Sequence, residues 1–312
     1  IDSNGKLAQN VTRGPNGGFA SSEYQNVRPV GDTSSIVAAG NYSISTKEEL
    51  IALSNWAKSN SSTGFTFVLY DNIDLENVSF RPIYDTTNFT GTFDGNGNKI
   101  TGLNINSSTS NTGLFGKGGS CTIKNLYVEG TITSSSGTVG GIIGSVSASS
   151  AVIDNCVSNV QITCTSGGSV GGIIGKSSCQ ITNCINLGNI NASAGTAIGG
   201  IAGTSDKNII NCANLGSVTG HMNVAGICGQ LDANGIANCY NYGKITADSS
   251  FGAIEGKGSA PSFNELYYHP NSGVTTAVCN KIDDAEKDIG TFTDPDALRS
   301  TLNTNLQNPA YS

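Results

Sequence analysis

The stretch Val139-Gly140-Gly141-Ile142-Ile143-Gly144 recurs down the chain. It returns as Val170-Gly171-Gly172-Ile173-Ile174-Gly175, as Ile198-Gly199-Gly200-Ile201-Ala202-Gly203 and as Val224-Ala225-Gly226-Ile227-Cys228-Gly229. Phe251-Gly252-Ala253-Ile254-Glu255-Gly256 is a worn copy, and Gly113-Leu114-Phe115-Gly116 is an earlier one. The place of Leu114 passes to Ile142, Ile173, Ile201, Ile227 and Ile254, in steps of 28, 31, 28, 26 and 27 residues. Fixed self-similarity on this scale marks a repeat architecture.

A second motif lies within each period: Ile123-Lys124-Asn125-Leu126, Ile153-Asp154-Asn155-Cys156, Ile181-Thr182-Asn183-Cys184, Ile209-Ile210-Asn211-Cys212 and Ile236-Ala237-Asn238-Cys239. Gly and a β-branched residue then follow, as in Gly188-Asn189-Ile190 and Gly216-Ser217-Val218; the Cys156 copy has Val160 in place of that Gly. Short β-branched runs cut by Gly and Asn read as strands and turns. One unit cannot bury its own apolar face, so units must stack. The expected fold is all-β, a right-handed parallel β-helix whose equivalent residues stack ~4.8 Å apart. Ile142, Ile173, Ile201 and Ile227 then form an aliphatic column. Cys156, Cys184, Cys212 and Cys239 continue the place of Leu126 and read as buried small hydrophobes. Asn155, Asn183, Asn211 and Asn238 read as an amide ladder at a bend.

The coil ends need closing, because an open end exposes a sheet edge. Thr46 and Glu49 form a capping-box pattern, and Leu50, Ile51, Leu53, Trp56 and Ala57 supply a helical stripe. This predicts a short capping helix at the N-terminal end. Asp294-Pro295 with Leu298, Leu302 and Leu306 predicts a short C-terminal helix. The expected organisation is an arm or linker over 1–44, the β-helix with its caps over 45–306, and a tail over 307–312.

Charge excludes several functions. The chain of 312 residues has 41 Gly, 12% charged residues and a net charge of −7. Its four arginines, Arg13, Arg28, Arg81 and Arg299, form no basic stripe, so no nucleic-acid partner is expected. No apolar run approaches the ~18 residues of a membrane span. No signal peptide is visible, so a mature or trimmed chain is expected. The nine cysteines are odd in number and contain no CxxC pair, which argues against a zinc site.

The segment Phe89-Thr90-Gly91-Thr92-Phe93-Asp94-Gly95-Asn96-Gly97-Asn98-Lys99-Ile100, with Gly113-Leu114-Phe115-Gly116 and the later Gly-Gly-Ile-Ile-Gly copies, resembles bacterial surface proteins with GLUG-type β-helix repeats. Asn72-Ile73-Asp74-Leu75, Tyr267-Tyr268 and Leu302-Asn303 follow the same order. The resemblance covers about residues 45–306. It implies a β-helix, secretion and an extracellular or cell-surface location, and carries no shared catalytic motif. Similar repeats accompany adhesins and IgA-protease-like metallopeptidases, but the metallopeptidase HExxH is absent, since the histidines are His221 and His269 alone.

No catalytic residue, metal ligand or cofactor is assigned from the residues. A glycosidase needs two carboxylates ~5–10 Å apart, yet Asp154 is followed in its column by Thr182, Ile210 and Ala237. Asp94-Gly95-Asn96-Gly97-Asn98 begins like a calcium loop but has Lys99 and Ile105 where Gly and Glu belong. Asp283, Asp284, Glu286 and Asp288 read as a solvated acidic face, and His221 as a solvent-facing loop residue. Aromatic side chains stack on sugars and tyrosine adds a hydroxyl. Tyr127, Tyr240, Tyr242, Tyr267, Tyr268 and His269 are therefore the candidate ligand-binding residues. The expected function is adhesin-like binding of carbohydrate or of host or matrix protein. A glycan-cleaving enzyme and a passive stalk displaying another domain are the alternatives.

Overall fold

The structure, a computed structural model, describes residues 24–135, 137–166, 168–257, 262–269, 272–274 and 289–291. It is an all-β parallel solenoid of about eight turns with one short helix among the described residues. The repeat register holds residue for residue. Phe67 pairs with Phe93, Phe93 with Ile123, and the column runs on through Ile153, Ile181, Ile209 and Ile236. Tyr42 extends it in the other direction. All of these side chains are buried in one continuous core.

The Gly-Gly-Ile-Ile-Gly motif straddles a corner: its first glycine ends a strand of the larger sheet, as in Thr138–Gly140, and its last two residues open a strand of the smaller, 5-stranded sheet, as in Ile143–Val146. Leu114, Ile142, Ile173, Ile201, Ile227 and Ile254 are completely buried. Each such side chain contributes about 1.5–3 kcal/mol by leaving water. The neighbouring column tapers from Phe115 through Ile143, Ile174 and Ala202 to Cys228 and then Glu255.

The asparagine ladder forms, and its backbone explains it. Asn125, Asn155, Asn183, Asn211 and Asn238 all have φ between 48 and 57°, the left-handed region that Asn tolerates best after Gly. Asn155 Nδ2 donates to Asn125 Oδ1 at 2.7 Å, Asn211 Nδ2 to Asn183 Oδ1 at 3.3 Å and Asn238 Nδ2 to Asn211 Oδ1 at 2.7 Å. Between Asn155 and Asn183 the ladder detours, because Asn183 Nδ2 donates to Asp154 Oδ1 instead.

The cysteines are more than small hydrophobes. Cys156, Cys184, Cys212 and Cys239 are free and buried. Each thiol donates to the carbonyl two residues earlier, at 3.1–3.3 Å. The left-handed bend interrupts the strand ladder, and the next thiol replaces a carbonyl: Cys184 N donates to Cys212 Sγ at 3.5 Å and Cys212 N to Cys239 Sγ at 3.4 Å. Buried backbone donors must find an acceptor.

A second amide ladder runs inside the coil. Asn186 Nδ2 donates to Asn214 Oδ1, and Asn214 Nδ2 to Asn241 Oδ1, both at 2.8 Å, and all three residues are fully buried. With the carbonyl of the next rung, it leaves no room for a side chain at the second glycine of the repeat. A Cβ on Gly172 would lie 2.3 Å from Asn186 Cγ, on Gly200 2.2 Å from Asn214 Cγ and on Gly226 2.1 Å from Asn241 Cγ.

The helix spans Lys47–Trp56, with Thr46 as N-cap accepting from Glu49 N. The Glu49 carboxylate reaches further back than the usual box, accepting from Ser45 N and Gly31 N. Leu50, Leu53 and Trp56 join the core, and Trp56 Nε1 donates to Ile36 O at 3.0 Å. The expected boundary at residue 45 needs correction. Gly40–Ile44 pairs with Phe65–Leu69, and Arg28–Pro29 pairs with Gly40–Ile44, so the coil already includes these residues. Their apolar side chains Tyr42 and Ile44 are core residues, which a linker would not contribute. Among the described residues the edge is the two-residue strand Arg28–Pro29, a form that discourages further pairing. The expected C-terminal helix, the tail and the acidic cluster at 283–288 lie outside the described residues.

Candidate functional site

Strand alternation decides where each candidate side chain points. Cys239 and Asn241 face inward, so Tyr240 between them faces outward, in one column with Ala213, Ile185, Val157 and Tyr127. Tyr127 and Tyr240 are therefore four rungs apart, roughly 19 Å along the axis. They share a facet but are not neighbours.

Tyr240 pairs in register with Tyr267, and the two form a small apolar cluster outside the main core, packed by Ala213. Their exposures are only 7 and 8%. Burial, with Tyr242 nearby, pushes the Tyr240 phenol up to about 12. Tyr268 lies in register with Asn241, faces inward and belongs to the main core. Three of the candidate ligand-binding residues, Tyr240, Tyr267 and Tyr268, are thus buried, which corrects the outward, accessible place expected of Tyr240. The first two bury each other, and alternation from Leu266 carries the third inside.

Tyr242 is 42% exposed. Its ring lies 4.6 Å from that of His269, which is half-buried, at an interplanar angle of 47°. Leu215, 44% exposed, precedes Tyr242 by one rung, as the bonds Leu215 N to Asn186 O and Tyr242 N to Asn214 O show. Leu215, Tyr242 and His269 thus form an accessible apolar and aromatic step. At the other end of the facet, Tyr127 is half-buried in a polar cluster. Its hydroxyl donates to Glu129 Oε2 at 2.8 Å, Asn159 Nδ2 donates to both, and Lys99 Nζ sits 4.7 Å from the ring centre. Burial and the Glu129 contact raise the Tyr127 phenol.

Asp94 is a structural carboxylate. It is 3% exposed and accepts from Tyr24 Oη, Asn96 N and Asn125 Nδ2, with Lys124 Nζ at 3.4 Å. Those donors and the ammonium occupy the positions a calcium ion would need. No group of three His, Cys, Asp or Glu able to hold a metal occurs among the described residues.

His221 lies on the strand Val218–Ala225, which corrects its expected loop position. Its Nδ1 is 2.9 Å from Asp248 Oδ2 on the next rung, and both side chains are more than half exposed. Sequence reading missed this pair because the two residues belong to an irregular stretch between motifs. Their shared distance past Gly216-Ser217-Val218 and Gly243-Lys244-Ile245 was the available signal. The eight described cysteines are free and buried. Burial raises Cys121 and Cys179, and Cys184, Cys212 and Cys228 stand well above the ordinary thiol range for the same reason. Cys156 is raised first by its contact with Cys184 and then by burial.

No family model matches the chain, and no curated protein matches it. Among solved structures, it is similar to a Bacteroides ovatus protein named "putative immunoglobulin A1 protease", with a TM-score of 0.67, 19% identity and 90% of each chain covered. At that identity the likeness shows the fold alone, a parallel β-solenoid.

Proposed function

We propose that this protein is an adhesin-like binding module of the bacterial cell surface, which holds a glycan or a host or matrix protein on the outside of its solenoid. The observation that carries the reading is the accessible Leu215–Tyr242–His269 step at one end of a facet whose other end presents Tyr127, Lys99, Glu129 and Asn159. Aromatic and apolar groups at one end and charged hydrogen-bonding groups at the other suit an extended ligand laid along the rungs. The resemblance to GLUG-type surface proteins supports an extracellular setting.

The test is a glycan array with a matrix-protein panel, using wild type, Tyr242→Ala and Tyr127→Phe. Tyr242→Ala is expected to weaken retention of a bound ligand roughly tenfold, the worth of a stacking contact with its buried area. Unchanged binding by both variants would remove this facet from the reading.

Cleavage is a second reading, favoured by the name of the structural neighbour and by the exposed His221–Asp248 pair. No described serine or cysteine hydrogen-bonds the His221 ring. Product analysis after incubation with immunoglobulin A1 and with polysaccharides tests it. Turnover lost in His221→Ala would replace binding with catalysis.

A further inference from the structure

Past the glycine corner at Gly188 and Gly216, the coil presents a different exposed facet. It is built from the strands Lys99–Ser107, Tyr127–Ser134, Val157–Cys164, Ile190–Ala192, Val218–Ala225 and Ile245–Gly252. Its inward side is apolar and buried, through Ile105, Ile132, Ile162, Ile190 and Val218. Its outward side is a lattice of small polar groups.

The central outward column is Asn106, Thr133, Thr163, Asn191, Thr219 and Thr246, in continuous register. All are exposed except Thr219, which is half-buried. None of their side chains has a hydrogen-bond partner among the described residues. On one side lie Thr131, Gln161 and Asn189, and the last two are tied to the next rung: Gln161 Oε1 accepts from Asn189 N, and Asn189 Oδ1 accepts from Ser217 N and Oγ. On the other side, two residues further along each strand, lie the exposed Ser135, Thr165 and Ser193. From Thr131 to Ser193 these three columns hold no ionisable side chain, although the chain carries a net charge of −7. Charge first appears at the last two rungs, with Lys244 and the His221–Asp248 pair.

We infer that this facet binds a neutral, extended polysaccharide, with one sugar residue per rung. The inference rests on the binding-module reading and adds to it a second face, past the corner from the aromatic step, and a ligand class. Three features support it. Hydroxyl and amide groups donate and accept alike, as sugar hydroxyls require. Central side chains without a partner among the described residues, beside the tethered Gln161 and Asn189, give a surface with free hydrogen-bonding capacity. The rungs repeat every ~4.8 Å and alternate outward residues every ~6.6 Å, so the axial step is close to the advance of one hexopyranose along an extended chain. An acidic or sulfated glycan would find no cation in the central rungs, and an apolar partner would leave the hydroxyls and amides desolvated without partners.

The experiment uses the full chain with neutral β-1,4-linked oligosaccharides of increasing length, a polyuronate, heparin and the matrix-protein panel. Binding is read by calorimetry on wild type, Thr163→Glu, Asn191→Arg and Tyr242→Ala, with thermal melting as the folding control. The neutral series is expected to bind with affinity that rises with length until about five rungs are spanned. Each of the two charged variants should lose roughly tenfold or more at unchanged melting temperature, whether or not Tyr242→Ala is also present. Binding of a neutral glycan that Tyr242→Ala abolishes and the two charged variants leave intact would overturn this face while keeping the binding module. Binding confined to charged glycans or to matrix protein would overturn the ligand class, and absence of any binding would overturn both readings. A self-associated wild type that Thr163→Glu dissociates would assign the facet to a second copy of the chain and overturn the inference.

Discussion

Asn211 carries two separable duties. Its φ of 57° is one that most side chains resist, and its amide links the rungs above and below. Alanine removes both contributions, whereas glycine keeps the backbone conformation and removes the amide. Asn211→Ala should therefore be more destabilising than Asn211→Gly by about 1–2 kcal/mol, the left-handed penalty, in urea-unfolding midpoints of the two variants. Equal losses would show that the ladder alone matters. Cys212 is the neighbouring case. Cys212→Ala deletes the acceptor of Cys184 N–H and opens a small void, costing about 1–3 kcal/mol, while Cys212→Asp buries a charge and should prevent folding. The Ile-x-Asn-Cys column was legible because the same three residue types recur at one spacing. The ladder of Asn186, Asn214 and Asn241 was not, because the equivalent places earlier in the chain hold Val128 and Ser158. A position that changes from apolar to polar along a coil does not announce itself as a ladder.

Among the elements, the Gly-Gly facet and the internal amide ladder depend on each other. A Cβ on Gly172 would stand 2.2 Å from Gly200 O as well as 2.3 Å from Asn186 Cγ. The first obstacle is backbone. Gly172→Ala should accordingly be severely destabilising, and adding Asn186→Ala should not restore the melting temperature. Restoration would place the whole constraint on the side chain. The helix Lys47–Trp56 is held by a side-chain cap, so Thr46→Ala should cost about 1 kcal/mol. That helix was readable from Thr46, Glu49 and the spacing of Leu50 and Leu53. The preceding strand Gly40–Ile44 was not, because its inward residues are Tyr42 and Ile44 rather than the Ile and Cys of the repeat. The early rungs fill the same columns with aromatics, such as Phe67 and Phe93, so periodic similarity fades while register persists. The burial of Tyr240 was not legible for a related reason. Alternation gives the direction of Tyr240 correctly, but direction alone does not reveal that Tyr267 on the next rung covers it.

For the whole molecule, the consequence of placing thiols in the core is a dependence on alkaline pH. All eight described cysteines are free and buried. Burial pushes Cys121 up to about 12, and Cys156, Cys184, Cys212 and Cys228 are well above the ordinary value of 9.0. A thiol whose folded pKa exceeds its unfolded one holds its proton more tightly in the folded state. Its contribution to stability is fully present below the unfolded pKa. It then declines as pH rises from there towards the folded pKa, because the unfolded chain releases the proton while the folded chain must keep it. These five thiols act in the same direction, so their effects accumulate in a coil with one continuous core. The urea midpoint should therefore fall steeply between pH ~9 and ~11. Native protein should show a smaller thiolate absorbance at pH ~10 than the urea-unfolded chain. Cys184→Ala with Cys212→Ala should flatten the alkaline slope while lowering stability at neutral pH, which separates ionisation from loss of packing. An unchanged slope in that double variant would move the alkaline sensitivity to the tyrosines, of which Tyr84 and Tyr240 are also raised to about 12 by burial.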